Sequence, residues 1–134
     1  MYRILVPVDA DMDRARKQAA YVADLPLAPE NLEVIVTHAL SPEELDESND
    51  SIDHVDTVQL VRDELSDAGY AVTLSEGRLP PADAILDLTR EHDADQVVMG
   101  SRKRSPTGKV IFGSVSQQVL LESPVPVTIV GAQE

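Results

Sequence analysis

The chain has 134 residues, 43% hydrophobic and 26% charged, which is an ordinary composition for one soluble domain spanning 1–134. It has no cysteine, which excludes disulfides, thiol catalysis and cysteine-ligated zinc. Its 24 acidic residues against 11 basic ones give a net charge of -13, so its general surface repels nucleic-acid phosphates.

Taken in chain order, Ile4-Leu5-Val6-Pro7-Val8 is an apolar run without polar alternation, which predicts a strand covered on both faces. Met12, Ala15, Ala19, Val22 and Ala23 recur at helical spacing, and Leu25-Pro26 ends that helix. Val34 to His38 is a second β-branched run, and residues 40–52 are polar and read as a surface loop. Val55, Val58, Val61, Leu65 and Ala68 mark a second helix closed by Gly69. Tyr70 to Leu74 is a weaker strand. Pro80-Pro81 opens a third helix carrying Ala82, Ile85, Leu86 and Thr89 on one face. Gln96 to Met99 is a fourth strand, Ser114 to Glu122 a fourth helix, and Val125 to Val130 the last strand. Strict alternation of strand and helix implies a parallel sheet with helices on both faces. Ligands of such sheets bind beyond the carboxyl ends of the strands, where the strand order reverses, so Asp9, Ala39 and the loop from Gly100 draw attention.

Charge distribution gives the sharpest functional signal. From Gln96 to Leu121 there is no acidic residue, yet Arg102, Lys103, Arg104 and Lys109 all fall there, with Gly100, Gly108, Gly113 and several serines. Small residues let backbone amides approach an anion, and hydroxyls add donors. Gly113-Ser114 then opens a helix whose free N–H groups favour phosphate. Ser114 and Gln117 fit a capping box. Strand, basic loop and helix start together read as a phosphate cradle. The mononucleotide loop Gly-x-x-x-x-Gly-Lys-Ser/Thr is not met, since Val110 follows Gly108-Lys109, and no Gly-x-Gly-x-x-Gly follows the first strand.

These residues resemble the universal stress protein family over essentially the full chain. The resemblance rests on Ile4-Leu5-Val6-Pro7-Val8-Asp9, Val36-Thr37-His38-Ala39, Val97-Val98-Met99-Gly100-Ser101, Gly113-Ser114-Val115-Ser116 and the stretch from Pro124 to Val130. It implies a three-layer α/β/α sandwich with a five-stranded parallel sheet ordered 3-2-1-4-5. ATP-binding members carry Gly, two residues, Gly, nine residues, then Gly and Ser or Thr. Gly100 and Gly113-Ser114 fit that pattern, and Lys103 stands at the second glycine. Carried over by the resemblance, Asp9 and Ala39 contact adenine, with Pro7 and Val8 on the same wall. Gly100 lies at the ribose, Met99 is a further nucleotide-binding residue, and Arg102, Lys103, Gly113, Ser114, Val115 and Ser116 surround the phosphates. The resemblance further implies homodimers paired through Val125 to Val130, which covers an otherwise apolar edge.

Other residues carry less. Asp9, Asp11 and Asp13 begin like a calcium loop, but Arg14 replaces its glycine and Ala20 its closing glutamate, so no metal ligand set is assigned. Asp9 is also a candidate cap for the first helix, with Asp11 sharing that role. His38 reads as a packed histidine, and His54 and His92, on helices, have no assigned role. Ser114 lacks a nucleophile elbow, so no catalytic residue is named and at most slow ATP hydrolysis is expected. The leading expectation is a cytoplasmic, stress-related regulatory protein that binds ATP, ADP or AMP, with Mg²⁺ or Mn²⁺ held by phosphate oxygens and water. Lys103 supports the alternative, a dimeric interaction module of the same fold that does not bind nucleotide. An adenylate-transferring enzyme would need a glycine-serine loop after the first strand, and Asp9-Ala10-Asp11 supplies none. No membrane span is expected, because no stretch reaches ~18 apolar residues. The start, too short for a secretory leader, points to the cytoplasm. Only Lys17, Lys103 and Lys109 are lysines; scarce lysine with excess acid is expected of a halophile, where salt screens self-repulsion.

Overall fold

A computed structural model describes residues 1–40, 52–77, 80–101 and 113–131. Within them the chain runs β1 (Tyr2–Val8), α1 (Met12–Ala23), β2 (Leu32–His38), α2 (Asp56–Asp67), β3 (Ala71–Leu74), α3 (Pro81–Glu91), β4 (Gln96–Gly100), α4 (Ser114–Glu122) and β5 (Val127–Val130). Single 3₁₀ turns stand at Pro29–Asn31 and Ile52–His54. The strands form one parallel sheet in the order β3-β2-β1-β4-β5. This is the expected three-layer arrangement.

Side chains of a strand point alternately to its two faces, so an unbroken apolar run needs cover on both. Ile4, Val6 and Val8 of β1 pack with Ala15, Ala19 and Val22 of α1 and with Val58, Val61 and Leu65 of α2. Leu5 and Ile35 face the other way, against Ile85 and Leu88 of α3 and Val119 of α4. The helix ends are locally encoded. Asp11 is the N-cap of α1, its carboxylate accepting from Arg14 N. After α2, Gly69 takes φ +95°, and Tyr70 N donates back to Leu65 O at 3.0 Å, the glycine-dependent end predicted there. Asp93 does the same after α3, with φ 50° and Ala94 N donating to Thr89 O at 3.0 Å.

Boundaries differ from expectation by one residue at β3 and β4 and by two at the other three strands. β1 and β2 begin earlier, because Arg3 and Glu33 are paired across the strands, their side chains 3.0 Å apart, where neither reads as core. β5 begins at Val127 and not Val125. Pro124 and Pro126 have no N–H to give a ladder, and the pairing with β4 opens on Pro126 O accepting from Val97 N at 3.0 Å. Of the polar stretch 40–52, the described ends are Leu40, which is buried, and Ile52; the rest lies outside the described residues.

Candidate functional site

The site begins with a missing donor. β1 and β2 pair in register from Tyr2↔Leu32 to Val8↔His38, but β1 and β4 pair only at Ile4↔Gln96 and Leu5↔Val97. Continued in parallel register, the next ladder bonds would run from residue 7 N–H to Val98 O and from Gly100 N–H to residue 7 O. Proline has no N–H, so the ladder stops. The two strands part at their carboxyl ends, where the strand order also reverses. Gln18, on the buried stripe of α1, fills the parting. Its Nε2 donates to Pro7 O at 2.7 Å and to Val98 O at 3.1 Å, replacing ladder bonds with a side-chain amide.

Above this parting lies a cleft lined by Pro7, Asp9, Gln18, Ala39, Met99, Gly100, Gly113, Val115 and Ser116. Asp9 and Ala39 form its β1–β2 side. Ala39 N donates to Val8 O at 2.7 Å, which fixes the chain as it leaves β2. Asp9 is braced on three sides. Its Oδ1 accepts from Asp11 N at 2.9 Å, its Oδ2 from Arg14 Nε at 2.9 Å, and its backbone oxygen from Thr57 Oγ1 at 2.6 Å. A carboxylate offers about four acceptor sites, so the two bonds leave capacity for a ligand donor. Arg14 reaches Asp9 by lying along Gly100, where a Cβ would stand 3.1 Å from Arg14 Cδ. Gly100 therefore leaves room for the arginine.

The opposite wall is the start of α4. Gly113 is its N-cap, with extended backbone and no side chain bonded to the first turn. This corrects the capping box read from Ser114 and Gln117: the helix starts one residue earlier than that motif requires, and Ser114 is the first helical residue. Glycine and serine both favour N-caps, so the residue types alone do not separate the two registers. The consequence is chemical. First-turn N–H groups that a box would have occupied carry no side-chain cap, and they border the cleft.

The structure thus brings together Pro7, Asp9, Ala39, Met99, Gly100, Gly113, Val115 and Ser116 around one opening. Ser114 is exposed beside them and does not line it. Val8 is also apart: its side chain is fully buried in the core with α1 and α2, and only its carbonyl serves the site's frame. Arg102 and Lys103 lie outside the described residues. His38 accepts from Leu40 N through Nδ1 at 3.3 Å and meets Glu76 Oε1 through Nε2 at 3.3 Å, a packed histidine as expected. His54 sits in a 3₁₀ turn, and His92, the C-cap of α3, meets Ser75 Oγ at 3.1 Å. Among the described residues no three acidic or histidine side chains gather as a metal site. Sequence reasoning passed over Gln18 and Arg14. The signal for Gln18 was a polar residue at the Ala15-Ala19-Val22 spacing.

A model of the universal stress protein family matches residues 1–131. The chain belongs to the universal stress protein family. A universal stress protein of Thermus aquaticus is 44% identical over 57 residues, which cover 42% of this chain and 40% of that protein. One of Mycolicibacterium smegmatis is 53% identical over 38 residues, covering 28% of this chain and 29% of its own length. The matched segments span less than half of these curated relatives. Likeness to solved family structures runs the full length. A universal stress protein from Archaeoglobus fulgidus is 32% identical, with TM-score 0.77, covering 97% of this chain and 98% of that one. Three further structures share the fold at 21%, 24% and 13% identity, with TM-scores of 0.70, 0.69 and 0.71. Those proteins are in complex with cAMP, dAMP and AMP respectively. No helix among the described residues is long and apolar enough to cross a membrane.

Proposed function

We propose that this universal stress protein binds an adenine nucleotide, AMP, ADP or ATP, in the cleft between β1 and β4, as a cytoplasmic regulatory ligand in a stress response. The observation that carries the reading is the pairing of two unlike walls across one opening. A braced carboxylate and the Ala39 backbone stand on one side, and uncapped helix N–H groups on the other. A carboxylate suits the amino group of a base, and a helix start suits phosphate. Asp9 and Ala39 are the proposed adenine contacts, with Pro7 beneath them. Met99 and Gly100 lie at the ribose, and Gly113, Ser114, Val115 and Ser116 at the phosphates, joined by Arg102 and Lys103. The cAMP, dAMP and AMP complexes of three proteins sharing the fold support an adenine nucleotide as the ligand class. A divalent cation accompanying a triphosphate would be held by phosphate oxygens and water. No residue is assigned a catalytic role. The β5 edge is the proposed homodimer contact, since β5 has β4 on one side only.

The test is to denature freshly purified protein, identify any released nucleotide, and titrate AMP, ADP and Mg²⁺-ATP into stripped protein in high salt. We expect a stoichiometric adenine nucleotide, or binding with Kd on the order of micromolar, about -8 kcal/mol. The double variant R102A/K103A should weaken ATP by about tenfold or more, since each charged contact is worth roughly 1.5–3 kcal/mol. Empty protein that stays silent to all three nucleotides would overturn the reading in favour of a dimeric interaction module.

A further inference from the structure

Gln18 is only 1% exposed, and both hydrogens of its amide are committed, to Pro7 O and to Val98 O. Both partners are carbonyls, so the amide cannot be turned over: its nitrogen must face them. The oxygen is left over. Gln18 has no other hydrogen bond, and no side-chain oxygen or nitrogen among the described residues is sealed from solvent without a partner. Oε1 therefore opens onto the cleft that Gln18 lines. It is a neutral atom that only accepts, held in direction by two bonds on the same amide. Phosphate oxygens also accept, so Oε1 cannot serve the phosphate. It needs a donor on the ligand.

Position decides which donor. With the base against Asp9 and Ala39 and the phosphates at the start of α4, the middle of a nucleotide lies over the parting of β1 and β4, whose floor is Gln18. This step rests on the nucleotide reading above. We propose that Gln18 Oε1 accepts a hydrogen bond from a sugar hydroxyl, so that this residue distinguishes a ribonucleotide from its deoxy analogues. An acceptor buried at the floor of a cleft loses its water when a ligand enters, and a ligand without the hydroxyl leaves it unsatisfied.

The experiment is calorimetric titration of the unaltered protein with AMP, 2′-deoxy-AMP, 3′-deoxy-AMP and IMP, repeated on Gln18→Met. We expect one deoxy analogue to bind about five- to tenfold more weakly than AMP, the size of one neutral hydrogen bond. In Gln18→Met, AMP should fall toward that analogue and the discrimination should vanish. If Gln18→Met does not fold, because Pro7 O and Val98 O are left without donors, the analogue series on the unaltered protein decides alone. Equal affinity for AMP and both deoxy analogues would overturn the role of Gln18 while leaving the nucleotide reading intact. A loss confined to IMP would also overturn it, since the oxygen would then read the base. If none of the four binds, the nucleotide reading falls and this proposal falls with it.

Discussion

Pro7 offers no N–H toward β4, and the cleft floor follows from that single absence. Restoring the donor should close what its loss opened. In Pro7→Ala the new N–H faces Val98 O directly, and the ladder can run on toward Gly100. We expect nucleotide affinity to fall about tenfold or more while stability changes by no more than about 1 kcal/mol, the worth of one ladder bond. Calorimetry and denaturant unfolding measure the two separately; unchanged affinity would mean that the parting does not depend on the proline. The residues around this point were unevenly legible. Asp9 and Ala39 stand out because they follow two apolar runs at the end of a parallel sheet, where ligands bind. Gln18 did not, because a glutamine on an amphipathic helix ordinarily faces solvent. Its meaning depends on two carbonyls, one of them 80 residues away in sequence.

At the scale of elements, every strand and helix was visible in the apolar periodicity, and the errors fell at the ends. Val125 reads as strand by type, yet prolines on either side leave the ladder to begin later. The bounds of α4 were legible, but its cap was assigned to Ser114 where Gly113 takes that place, because both are good caps. The basic stretch after β4, the strongest charge signal in the chain, lies outside the described residues from Arg102 to Phe112. The edge strand supports a sharp test. Val97 N donates to Pro126 O and Ser101 N to Val130 O, so the even-numbered backbone groups of β5 serve β4 and the odd-numbered ones face outward. Ile129→Pro removes one outward N–H without touching the β4 ladder. We expect it to convert a dimer to a monomer in sedimentation or light scattering; a dimer that persists would place the interface elsewhere.

Across the whole molecule, the acidic surface is the property that packing does not explain. A net charge of -13 on 134 residues is self-repelling, and salt relieves it. We expect the melting temperature to rise by about 10 °C or more between roughly 0.1 and 3 M KCl, as a gain of a few kcal/mol would produce in a domain of this size. A melt that ignores salt would remove the halophilic interpretation. The hydrogen bonding within the sheet is also uneven. Its centre is its thinnest line, with β1 joined to β4 at Ile4↔Gln96 and Leu5↔Val97 while β1 and β2 are joined along their whole length. At the carboxyl end the β1–β2–β3 part and the β4–β5 part are tied by one glutamine amide in place of ladder bonds. A ligand seated in the cleft would touch both parts and add a second tie there.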